Sequence, residues 1–456
     1  MATSSAAAPT VDDIRKQSKE RGIEFYFAQF VDMYARPSAK LVPAQYLDDL
    51  VSEGAGFAGF AAGEIGQAPS DPDIAAIPDL ASFTPVPWEP TLARFACDVY
   101  VEGEEWPYDP RTILRRQLER ARERGFEFMM GLELEYFLVR QTADGSLELA
   151  DPLDTLEKPC YDLKGLTRNY DFLTEVSRYV NELGWGNYAN DHEDANGQFE
   201  QNLTYSDALT SCDRAIFFRY MVNALAHRRG MIATFMPKPF SHLTGNGCHF
   251  HMSLWDGDRN LFLDENDPRG LGLSETAYHF IGGLKKHAKG YIGVTAPTVN
   301  SYKRLRVGAP TSGATWSPVF VTYGYNNRTQ MLRIPGPGRV EDRTIDGSCN
   351  PYLAATVVLA AGLDGIEQRI DPGDPNPGNM YETPEDELRR RGVELLPANL
   401  LDALRELERD DVVREALGRG RDEDYVDYFV RVKRDEWTRY HEQVTPWEIK
   451  EYLTRF

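Results

Sequence analysis

Charged residues lie inside segments that otherwise have the composition of buried β-strands, and this pattern limits the possible folds more than any other. Glu133 and Glu135 both occur in Gly-Leu-Glu-Leu-Glu-Tyr-Phe, between apolar residues. Alternate residues of a strand point to one face, so the two carboxylates would lie side by side. An unpaired buried charge is costly, and two like charges repel unless a cation lies between them. The segment therefore predicts a strand that offers two ligands to a cation. An edge strand with one solvated face is the alternative.

A second pair of acids flanks a turn signal. Glu193 and Glu200 lie on either side of Asn196-Gly197, a dipeptide that favours tight turns. A hairpin here would bring the two carboxylates together. Acids that flank such turns also occur on ordinary surfaces, so this segment alone is a weak indication of a site.

Two histidines alternate in a later strand-like segment. His249 and His251 occur in Cys-His-Phe-His-Met, after a loop that contains Gly245 and Gly247. A lone histidine in such a strand would more often be a core residue, whereas two on one face, after a loop with free N–H groups, indicate a site. With Glu341, the candidate metal ligands are Glu133, Glu135, Glu193, Glu200, His249 and Glu341. Five carboxylates and one imidazole suit hard cations such as Mg²⁺ or Mn²⁺.

Six arginines surround the last of these ligands, in a segment rich in Gly, Pro and Asn: Arg304, Arg306, Arg328, Arg333, Arg339 and Arg343. Guanidinium groups bind planar carboxylate and phosphate groups through paired hydrogen bonds. The chain contains no Walker-type Gly-Lys-Ser/Thr and no Gly-x-Gly-x-x-Gly. We therefore expect a phosphate and carboxylate site, with any ATP bound in a site of another kind.

Composition excludes several classes of protein. The formal net charge is −21 over 456 residues, which argues against a nucleic-acid binder and for a soluble protein. Five cysteines without a Cys-x-x-Cys pair fit a reduced cytoplasm better than a disulfide framework. No segment approaches the roughly 20 apolar residues of a transmembrane helix. A cytoplasmic localisation without membrane contact is expected, and residues 1–10 are interpreted as a disordered tail.

Two domains are expected, with the boundary at Trp106-Pro-Tyr-Asp-Pro. The first, residues 11–105, is predicted to be a small α+β domain, with a helix at 11–22, strands at 24–32 and 94–101, and a turn or loop at 57–62. The second, residues 106–456, opens with a helix because Asp109 is a good N-cap and Pro110 a good first helical residue. Its other predicted elements are a strand at 231–236, helices at 215–227 and 351–363, and a charged helical region at 385–440.

In this order, the motifs resemble the glutamine synthetase superfamily over nearly the whole chain. The strongest matches are Gly131-Leu-Glu-Leu-Glu-Tyr-Phe, Ala233-Thr-Phe-Met-Pro-Lys-Pro, Gly247-Cys-His-Phe-His-Met-Ser, Asn300-Ser-Tyr-Lys-Arg-Leu and Asn350-Pro-Tyr-Leu. The resemblance implies an α+β protein with a small N-terminal β-grasp domain and a large catalytic α/β domain. It also implies homo-oligomers, commonly dodecamers of two stacked hexamers, with active sites between neighbouring subunits.

The resemblance further implies a role for each candidate residue. One cation would bind Glu135, Glu193 and Glu200, and a second Glu133, His249 and Glu341, giving two or three Mg²⁺ or Mn²⁺ ions per site. ATP would contact His251, Ser253, Arg328, Arg333 and Arg339, with Arg328 also catalytic. L-glutamate would be held by Gly245, Arg304 and Arg343. The implied reaction converts the γ-carboxylate of glutamate into an acyl phosphate, from which an amine displaces phosphate.

Two departures from the family concern the amine. Where glutamine synthetases usually have Phe-Asp-Gly-Ser-Ser, whose Asp helps to bind ammonium, this chain has Phe57-Ala58-Gly59-Phe60-Ala61. The family's acidic flap is replaced by residues 306–318, which include Trp316 and no acid. Both changes remove negative charge and add apolar surface, and each buried methylene contributes about 0.8 kcal/mol. They favour a small alkylamine, methylamine first, in a pocket formed by Ala58, Phe60 and Trp316. Alternatively, the two aromatic residues only pack at a subunit interface.

Other functions stay open at this point. They are ammonia-dependent glutamine synthesis, a γ-glutamyl ligase for a larger amine (isopropylamine, ethanolamine, a polyamine or an aromatic amine), and a non-catalytic homologue. The group that deprotonates the amine is also open, with Asp194 as one candidate. Tyr381 lies in a segment that resembles the adenylylated loop of some bacterial glutamine synthetases, but we expect an ordinary surface tyrosine.

Overall fold

The computed structural model describes residues 8–306 and 318–456. Trp316, predicted for the amine pocket, lies outside the described residues. Within them, strands occupy two β-sheets, and most helices pack against the second sheet or against one another.

The first sheet lies between residues 25 and 105. Its strands are β1 (Phe25–Val31), β2 (Pro37–Pro43), β3 (Ala55–Phe57), β4 (Ile74–Pro78), β5 (Thr84–Pro85), β6 (Leu92–Val101) and β7 (Glu104–Glu105). The main order is β2-β1-β6-β4-β3, with β5 and β7 paired to β6. Strand β1 runs parallel to β6 and antiparallel to β2. The sheet is therefore mixed, with one parallel pair beside its antiparallel ones.

The second sheet carries the predicted chemistry. Its strands are β8 (Glu127–Gln141), β9 (Leu147–Leu149), β10 (Asn187–His192), β11 (Gln198–Leu203), β12 (Ser206–Asp207), β13 (Ile232–Thr234), β14 (Cys248–Asp256), β15 (Arg259–Asn260), β16 (Tyr323–Tyr325), β17 (Leu332–Ile334) and β18 (Val340–Asp342). The main order is β10-β11-β8-β14-β18-β17-β16. The long strand β8 lies near its centre, so the acidic segments become neighbours.

The helices are α1 (Val11–Arg21), α2 (Leu47–Glu53), α3 (Gly59–Ala62), α4 (Pro110–Glu123), α5 (Leu163–Arg168), α6 (Tyr170–Glu182), α7 (Ala208–His227), α8 (Glu275–Thr295), α9 (Ser301–Arg304), α10 (Pro351–Glu367), α11 (Glu385–Arg390), α12 (Leu400–Leu407), α13 (Asp411–Leu417), α14 (Tyr425–His441) and α15 (Pro446–Tyr452). None of these helices combines the length and the apolar character needed to cross a bilayer.

Helices α8 and α10 form the centre of the helical layer. Almost every residue of α10 from Pro351 to Gly365 is buried. The two backbones approach closely where glycines face each other, because a Cβ on Gly283 would lie 2.0 Å from the carbonyl oxygen of Ala361 and one on Gly365 would lie 2.1 Å from that of His279. Only a residue without a side chain permits this approach.

A buried arginine connects the first sheet to the helices behind the second. Arg111, in the first turn of α4, donates hydrogen bonds to Asp98 of β6 at 2.7 Å and to Asp213 of α7 at 3.0 Å. Asp213 also accepts a 2.6 Å hydrogen bond from the hydroxyl of Tyr352 on α10. Paired and hydrogen-bonded in this way, the buried charges fix the relative positions of these elements.

Most of the predicted elements are present. Helix α1 ends at Gly22, which has φ +71°, and Asp109 caps α4 with Pro110 at its start. The predicted helices at 215–227 and 351–363 are correct but longer, whereas the strand at 231–236 is shorter. The segment at 57–62 was wrongly predicted as a turn or loop, since it ends β3 and forms the single helical turn α3. Small residues such as Gly59 and Ala61 gave no strand or helix signal of their own.

The packing of α8 predicts a pH-dependent contribution to stability. His287 lies 2.7 Å from a carboxylate oxygen of Asp410 and 2.8 Å from one of Asp364. Burial alone would lower the pKa of His287, but these two hydrogen bonds raise it above its ordinary value of 6.5. The contribution is therefore fully present below about pH 6.5 and is lost as the pH rises through the higher folded-state pKa. Although burial would raise it, the pKa of Asp364 is lowered in the folded state by its hydrogen bond to His287. Its contribution to stability is therefore present above about pH 4 and is lost as the pH falls further.

We expect His287→Gln to lower the thermal unfolding midpoint most between about pH 5 and 6.5, with the difference from wild type shrinking toward pH 9. Thermal unfolding followed by fluorescence across this range measures the difference directly. The exposed His441 serves as the control, because in His441→Gln the loss of its stacking on Trp437 should change the midpoint by the same small amount at every pH. A His287→Gln difference that stays constant with pH would contradict the role of the protonated imidazole.

Candidate active site

Cross-strand register brings the predicted acids together. Strand β8 carries Glu133 and Glu135 on one face. Its neighbour β11 places Glu200 opposite Glu135, and β14 on the other side places His249 opposite Glu133. The strand predicted from alternating residues is therefore correct, and it lies inside the sheet instead of at an edge.

The predicted hairpin across Asn196-Gly197 also forms. Strands β10 and β11 pair antiparallel, with Asp191 opposite Glu200. The backbone N–H of Glu193 donates to the carbonyl oxygen of Gln198 at 2.9 Å, which closes the turn. One ligand atom each from Asp191, Glu193 and Glu200 lies within 4.8 Å of the other two. The hairpin thus contributes a compact triad of carboxylates.

A buried aspartate holds this turn in place. Asp154 accepts hydrogen bonds from the backbone N–H of Gly197 at 2.6 Å and from the side-chain amide of Asn196 at 3.1 Å, and lies 2.7 Å from Nε2 of His192. The other ring nitrogen of His192 lies 2.9 Å from the carbonyl oxygen of Glu193. These contacts orient both ends of the turn, so the acids of the hairpin face the cavity.

The clustered carboxylates are electrostatically strained. Burial, followed by the nearby charges of Glu133 and Glu193, raises the pKa of Glu200 well above its usual range. Burial and then Glu135 do the same for the pKa of Glu193. Each additional negative charge disfavours ionisation of the next, and only a positive charge among these groups relieves that repulsion. The side-chain amide of Gln198 supplies one donor, at 3.1 Å from Glu135.

A second group forms around the two histidines. Nδ1 of His249 lies 3.2 Å from Glu133, and Nε2 of His251 lies 2.8 Å from the other oxygen of the same carboxylate. Burial alone would raise the pKa of Glu133, but His251 and His249 outweigh it and hold that pKa well below its usual range. Ligand atoms of Glu133, His251 and Glu341 lie within 4.8 Å of one another. Among the described residues, none hydrogen-bonds with Nδ1 of His251.

Glu341 is the most enclosed of these carboxylates. It lies on β18 opposite His251, and its side chain is fully buried. Nη1 of Arg333 donates to one oxygen at 2.8 Å and Nη1 of Arg343 to the other at 2.5 Å. Burial would raise its pKa, but Arg343 and then His251 hold the pKa of Glu341 at about 2. Glu341 therefore stays ionised and fixes two of the arginines.

Most of these groups line one cavity of about 300 Å³; Glu341 does not line it, but its partners Arg333 and Arg343 do. Its acids are Glu133, Glu135, Asp191, Glu193, Asp194 and Glu200, and its cationic side chains are Lys238, Arg304, Arg306, Arg328, Arg333, Arg339 and Arg343. Opposite charges in such numbers within one cavity are typical of sites for polyanionic substrates and divalent cations.

The residues predicted to hold glutamate lie together at this cavity. The guanidinium of Arg304 is buried, and its two Nη atoms donate to the backbone carbonyl oxygens of Arg343 and Thr344, both at 2.9 Å. Gly245 lies against Arg304 and has no room for a side chain, because a Cβ would lie 2.3 Å from the carbonyl oxygen of Pro237. The backbone thus fixes the direction of Arg304.

A second cavity of about 240 Å³ adjoins the first and is more apolar. His251, Ser253 and Arg339, which the sequence predicted as nucleotide contacts, line this second cavity. Two aromatic rings that the sequence prediction missed, Tyr205 and Trp255, stack with 6.1 Å between their centroids. Flat apolar walls of this kind suit a nucleobase. Arg339 and His251 line both cavities, so a ligand could extend from one into the other.

Other predicted residues lie elsewhere. Ala58 and Phe60 lie directly after β3 of the first sheet, and both are exposed. They do not line the main cavity of their own chain. Tyr381 is not an ordinary surface residue, because its hydroxyl is enclosed and has no hydrogen-bond partner among the described residues. Two hydrogen bonds hold its loop, one from the backbone N–H of Tyr381 to the side chain of Asn379 and one from the side chain of Asn327 to the carbonyl oxygen of Gly378.

Several cavity residues were missed from sequence. Asp191 lies two positions before Glu193, so the alternation used for Glu133 and Glu135 could have identified it. Lys238 belongs to the quoted Pro-Lys-Pro motif, and burial together with nearby arginines lowers its pKa to about 8. Cys160 and Tyr161 also line the cavity, but they lie in a loop with no periodicity, and no local signal could have identified them.

The fold and this constellation of acids, histidines and arginines define the class of protein. The chain belongs to the glutamine synthetase family, since a model of the glutamine synthetase catalytic domain matches residues 107–452. The family predicted from the sequence motifs is therefore confirmed. A glutamate–methylamine ligase of Methyloversatilis universalis is 48% identical over 96% of this chain and 98% of that protein. A glutamine synthetase of Rhizobium meliloti is 44% identical, with the same coverage of 96% and 98%. A solved structure of GmaS in complex with ADP superposes with a TM-score of 0.90 at 48% identity, covering 97% of this chain and 99% of that one.

Proposed function

We propose that this protein is an ATP-dependent ligase that joins the γ-carboxylate of L-glutamate to a small alkylamine, with methylamine favoured. The observation that carries the proposal is the cavity in which six acids face seven cationic side chains, next to an aromatic cavity. The relative named glutamate–methylamine ligase, which matches nearly end to end, supports the choice of amine.

The donor set fits divalent cations. Five carboxylates and one histidine were predicted as ligands, and the geometry adds Asp191 and His251 as candidates within the two triads. Oxygen-rich sites with one imidazole suit Mg²⁺ or Mn²⁺. We propose two or three such ions per site, held by the hairpin acids and by Glu133, His249, His251 and Glu341. When bound, they would neutralise charge on the phosphates of ATP.

The chain's own groups orient both substrates. In this proposal the adenine base lies against Tyr205 and Trp255, and Ser253 lies at the edge of that cavity. Arg328, Arg333 and Arg339 bind the phosphates, where forked guanidinium donors stabilise the charge that develops on the transferred phosphoryl group. Rate enhancement in such a site arises mainly from positioning and from preorganised charge.

Glutamate is proposed to lie beside Gly245, with Arg304 and Arg343 as partners of its carboxylates. Its γ-carboxylate attacks the γ-phosphorus of ATP, ADP leaves, and the resulting γ-glutamyl phosphate is an activated acyl group. The amine, after losing a proton, attacks the acyl carbon and phosphate leaves. The carboxylates of Glu193 and Asp194 lie in the same cavity and attract the incoming ammonium form of the amine.

Ammonia is the second candidate substrate, because the glutamine synthetase of Rhizobium meliloti also matches nearly end to end. Phosphate release from ATP with Mg²⁺ and L-glutamate, measured with ammonia, methylamine, ethylamine, isopropylamine, ethanolamine, putrescine and aniline in parallel, distinguishes the two. We expect saturation at the lowest concentration with methylamine. Best activity with ammonia would reject the alkylamine assignment and leave a glutamine synthetase.

We further propose that residues 11–105 form a β-grasp domain, residues 106–456 the catalytic domain, and that the chain assembles into dodecamers of two hexamers. The confinement of the first sheet to residues 25–105 supports the boundary. The exposure of Phe60, 58% of its surface, supports a subunit contact through which Ala58 and Phe60 reach a neighbouring cavity.

Ala58 offers a direct test of amine preference. It precedes the single turn α3 in an extended conformation, without a side-chain cap, so aspartate at this position is compatible with folding and provides a cap. We expect Ala58→Asp to increase activity with ammonia relative to methylamine by about tenfold, because it restores a negative charge near the amine. Ala58→Asn is the matched neutral control. An unchanged ratio in Ala58→Asp would exclude this residue from the amine site.

A further inference from the structure

Gln198 is a buried side chain whose hydrogen bonds join separate parts of the candidate active site. It lies on β11, two positions before Glu200, and is 1% exposed. Its amide nitrogen lies 3.1 Å from a carboxylate oxygen of Glu135, 3.1 Å from the carbonyl oxygen of Gly245 and 2.9 Å from the side-chain oxygen of Asn246. The amide nitrogen carries two hydrogens, so three acceptors share two N–H donors.

The other end of this amide is held by the hairpin. The side-chain oxygen of Gln198 accepts a hydrogen bond from the backbone N–H of Ala195 at 3.1 Å, in the turn between β10 and β11. A donor beside the oxygen and acceptors beside the nitrogen determine which way the amide points. Gln198 therefore connects the hairpin turn both to β8 and to the loop before β14.

The contact with Glu135 orients a predicted metal ligand. Gln198 and the backbone N–H of Gly247 both donate to Oε2 of Glu135, at 3.1 and 2.7 Å. The other oxygen, Oε1, lies 3.7 Å from Nε2 of His249, which is another predicted ligand. Hydrogen bonds to one oxygen of a ligating carboxylate commonly direct the second oxygen to the metal. The contact thus turns Oε1 toward the position of a cation.

The contacts with Gly245 and Asn246 hold the loop that is predicted to bind glutamate. Asn246 is fully buried, and its amide nitrogen donates to the backbone carbonyl oxygens of Thr234 at 3.1 Å and Met236 at 3.0 Å. Its side-chain oxygen accepts from Gln198. The loop is therefore bonded to the end of β13 on one side and to Gln198 on the other, so its position depends on where Gln198 points.

We propose that Gln198 is a positioning residue that makes the binding of divalent cations and the binding of glutamate interdependent. The inference rests on the proposed function and deepens it. A cation on Glu135 fixes the carboxylate to which Gln198 donates, and Gln198 in turn fixes the loop of Gly245 and Asn246. Order imposed by one ligand lowers the entropic cost of binding the other, which is a positive coupling between the two.

This coupling is measured by calorimetry of L-glutamate binding, with Mg²⁺ and with a chelator in its place. We expect Mg²⁺ to tighten glutamate binding to the wild-type protein by about tenfold or more. Gln198→Met keeps the length of the side chain but not its hydrogen bonds. In this variant the glutamate Kd with Mg²⁺ should rise about tenfold, and the effect of Mg²⁺ should fall to about twofold or less. KM for ATP should stay within about twofold, because Gln198 does not line the aromatic cavity.

Gln201→Met is the matched control. Gln201 lies on the same strand, is also 1% exposed and does not line the main cavity. It should retain the effect of Mg²⁺ on glutamate binding, because the loss of coupling belongs to the contacts of Gln198 and not to a disturbed β11. Gln198→Glu is a second variant, whose carboxylate still accepts from Ala195 but has no N–H for Gly245 or Asn246. It should also weaken glutamate binding.

The outcomes separate this inference from the proposed function. A wild-type protein that releases no phosphate from ATP with Mg²⁺, L-glutamate and either methylamine or ammonia would reject the proposed function itself. An active wild type whose glutamate affinity does not depend on Mg²⁺, a Gln198→Met protein with full coupling, or an equal loss of coupling in Gln201→Met would overturn the role of Gln198 alone. If Gln198→Met fails to fold, Gln198→Glu decides, and an unchanged glutamate Kd in that variant would overturn the proposal.

Discussion

Replacing Glu341 with glutamine is expected to lower kcat by about 100-fold or more, a loss typical of a removed charge that positions catalytic groups. The substitution keeps the size of the side chain but removes the charge that holds Arg333 and Arg343 through opposite oxygens. It also removes one carboxylate of the Glu133–His251–Glu341 triad. We therefore expect the Mg²⁺ concentration for half-maximal activity to rise by about tenfold or more.

Steady-state phosphate release at a series of Mg²⁺ concentrations measures both effects. Glu451→Gln is the control. Glu451 is exposed on α15, pairs with Arg455 and does not line the cavity. Thermal unfolding verifies that Glu341→Gln remains folded. A folded Glu341→Gln enzyme with normal kcat and normal Mg²⁺ dependence would contradict the assignment of Glu341 to the metal and phosphate site.

Replacing Arg339 with alanine should lower kcat/KM for ATP by about 100-fold or more, within the range for arginines that stabilise a transferred phosphoryl group. Arg339 lines both cavities, so a nucleotide with its base against Tyr205 and Trp255 would pass its phosphates along this side chain. Lysine at this position keeps the charge but not the forked donors, and Arg339→Lys should have an intermediate effect.

The control for this substitution is Arg259→Ala, since the side chain of Arg259, the first residue of β15, is 75% exposed. ADP binding by calorimetry separates a loss of nucleotide affinity from a loss of turnover. We expect weaker ADP binding in Arg339→Ala and no change in Arg259→Ala. Unchanged kcat/KM for ATP in Arg339→Ala would place the phosphates elsewhere.

Local patterns predicted the parts of the site that lie on strands. Alternation placed Glu133 and Glu135 on one face, and the Asn196-Gly197 turn predicted the hairpin that carries Glu200. These predictions succeeded because strand period and turn chemistry are local properties of the chain. The same applies to the start of α4, where Asp109 and Pro110 act within a single turn.

Pairing between distant segments could not be predicted in this way. The position of His251 opposite Glu341 depends on the order of β8, β14 and β18, which no local pattern encodes. Asp154 lies far from the hairpin in sequence, yet its carboxylate fixes the turn. Tyr381 was interpreted as an ordinary surface residue, whereas its hydroxyl is enclosed in the structure.

For the amine pocket, the sequence motifs and the cavity of the structure indicate different residues. Departures from the family motif indicated Ala58, Phe60 and Trp316, whereas the cavity of a single chain contains Cys160 and Tyr161. Both sets are compatible if Ala58 and Phe60 belong to a neighbouring subunit's site, as proposed. The Ala58→Asp variant tests the first set, because it alters the charge near the amine.

The most direct test of the proposed function is a competition between amines in one reaction. The enzyme is supplied with L-glutamate, ATP, Mg²⁺ and equal concentrations of ammonia and methylamine, and the products are quantified by mass spectrometry. Our account predicts that γ-glutamylmethylamide predominates over glutamine, with one phosphate released per amide formed. Glutamine as the main product would contradict it and identify the protein as a glutamine synthetase.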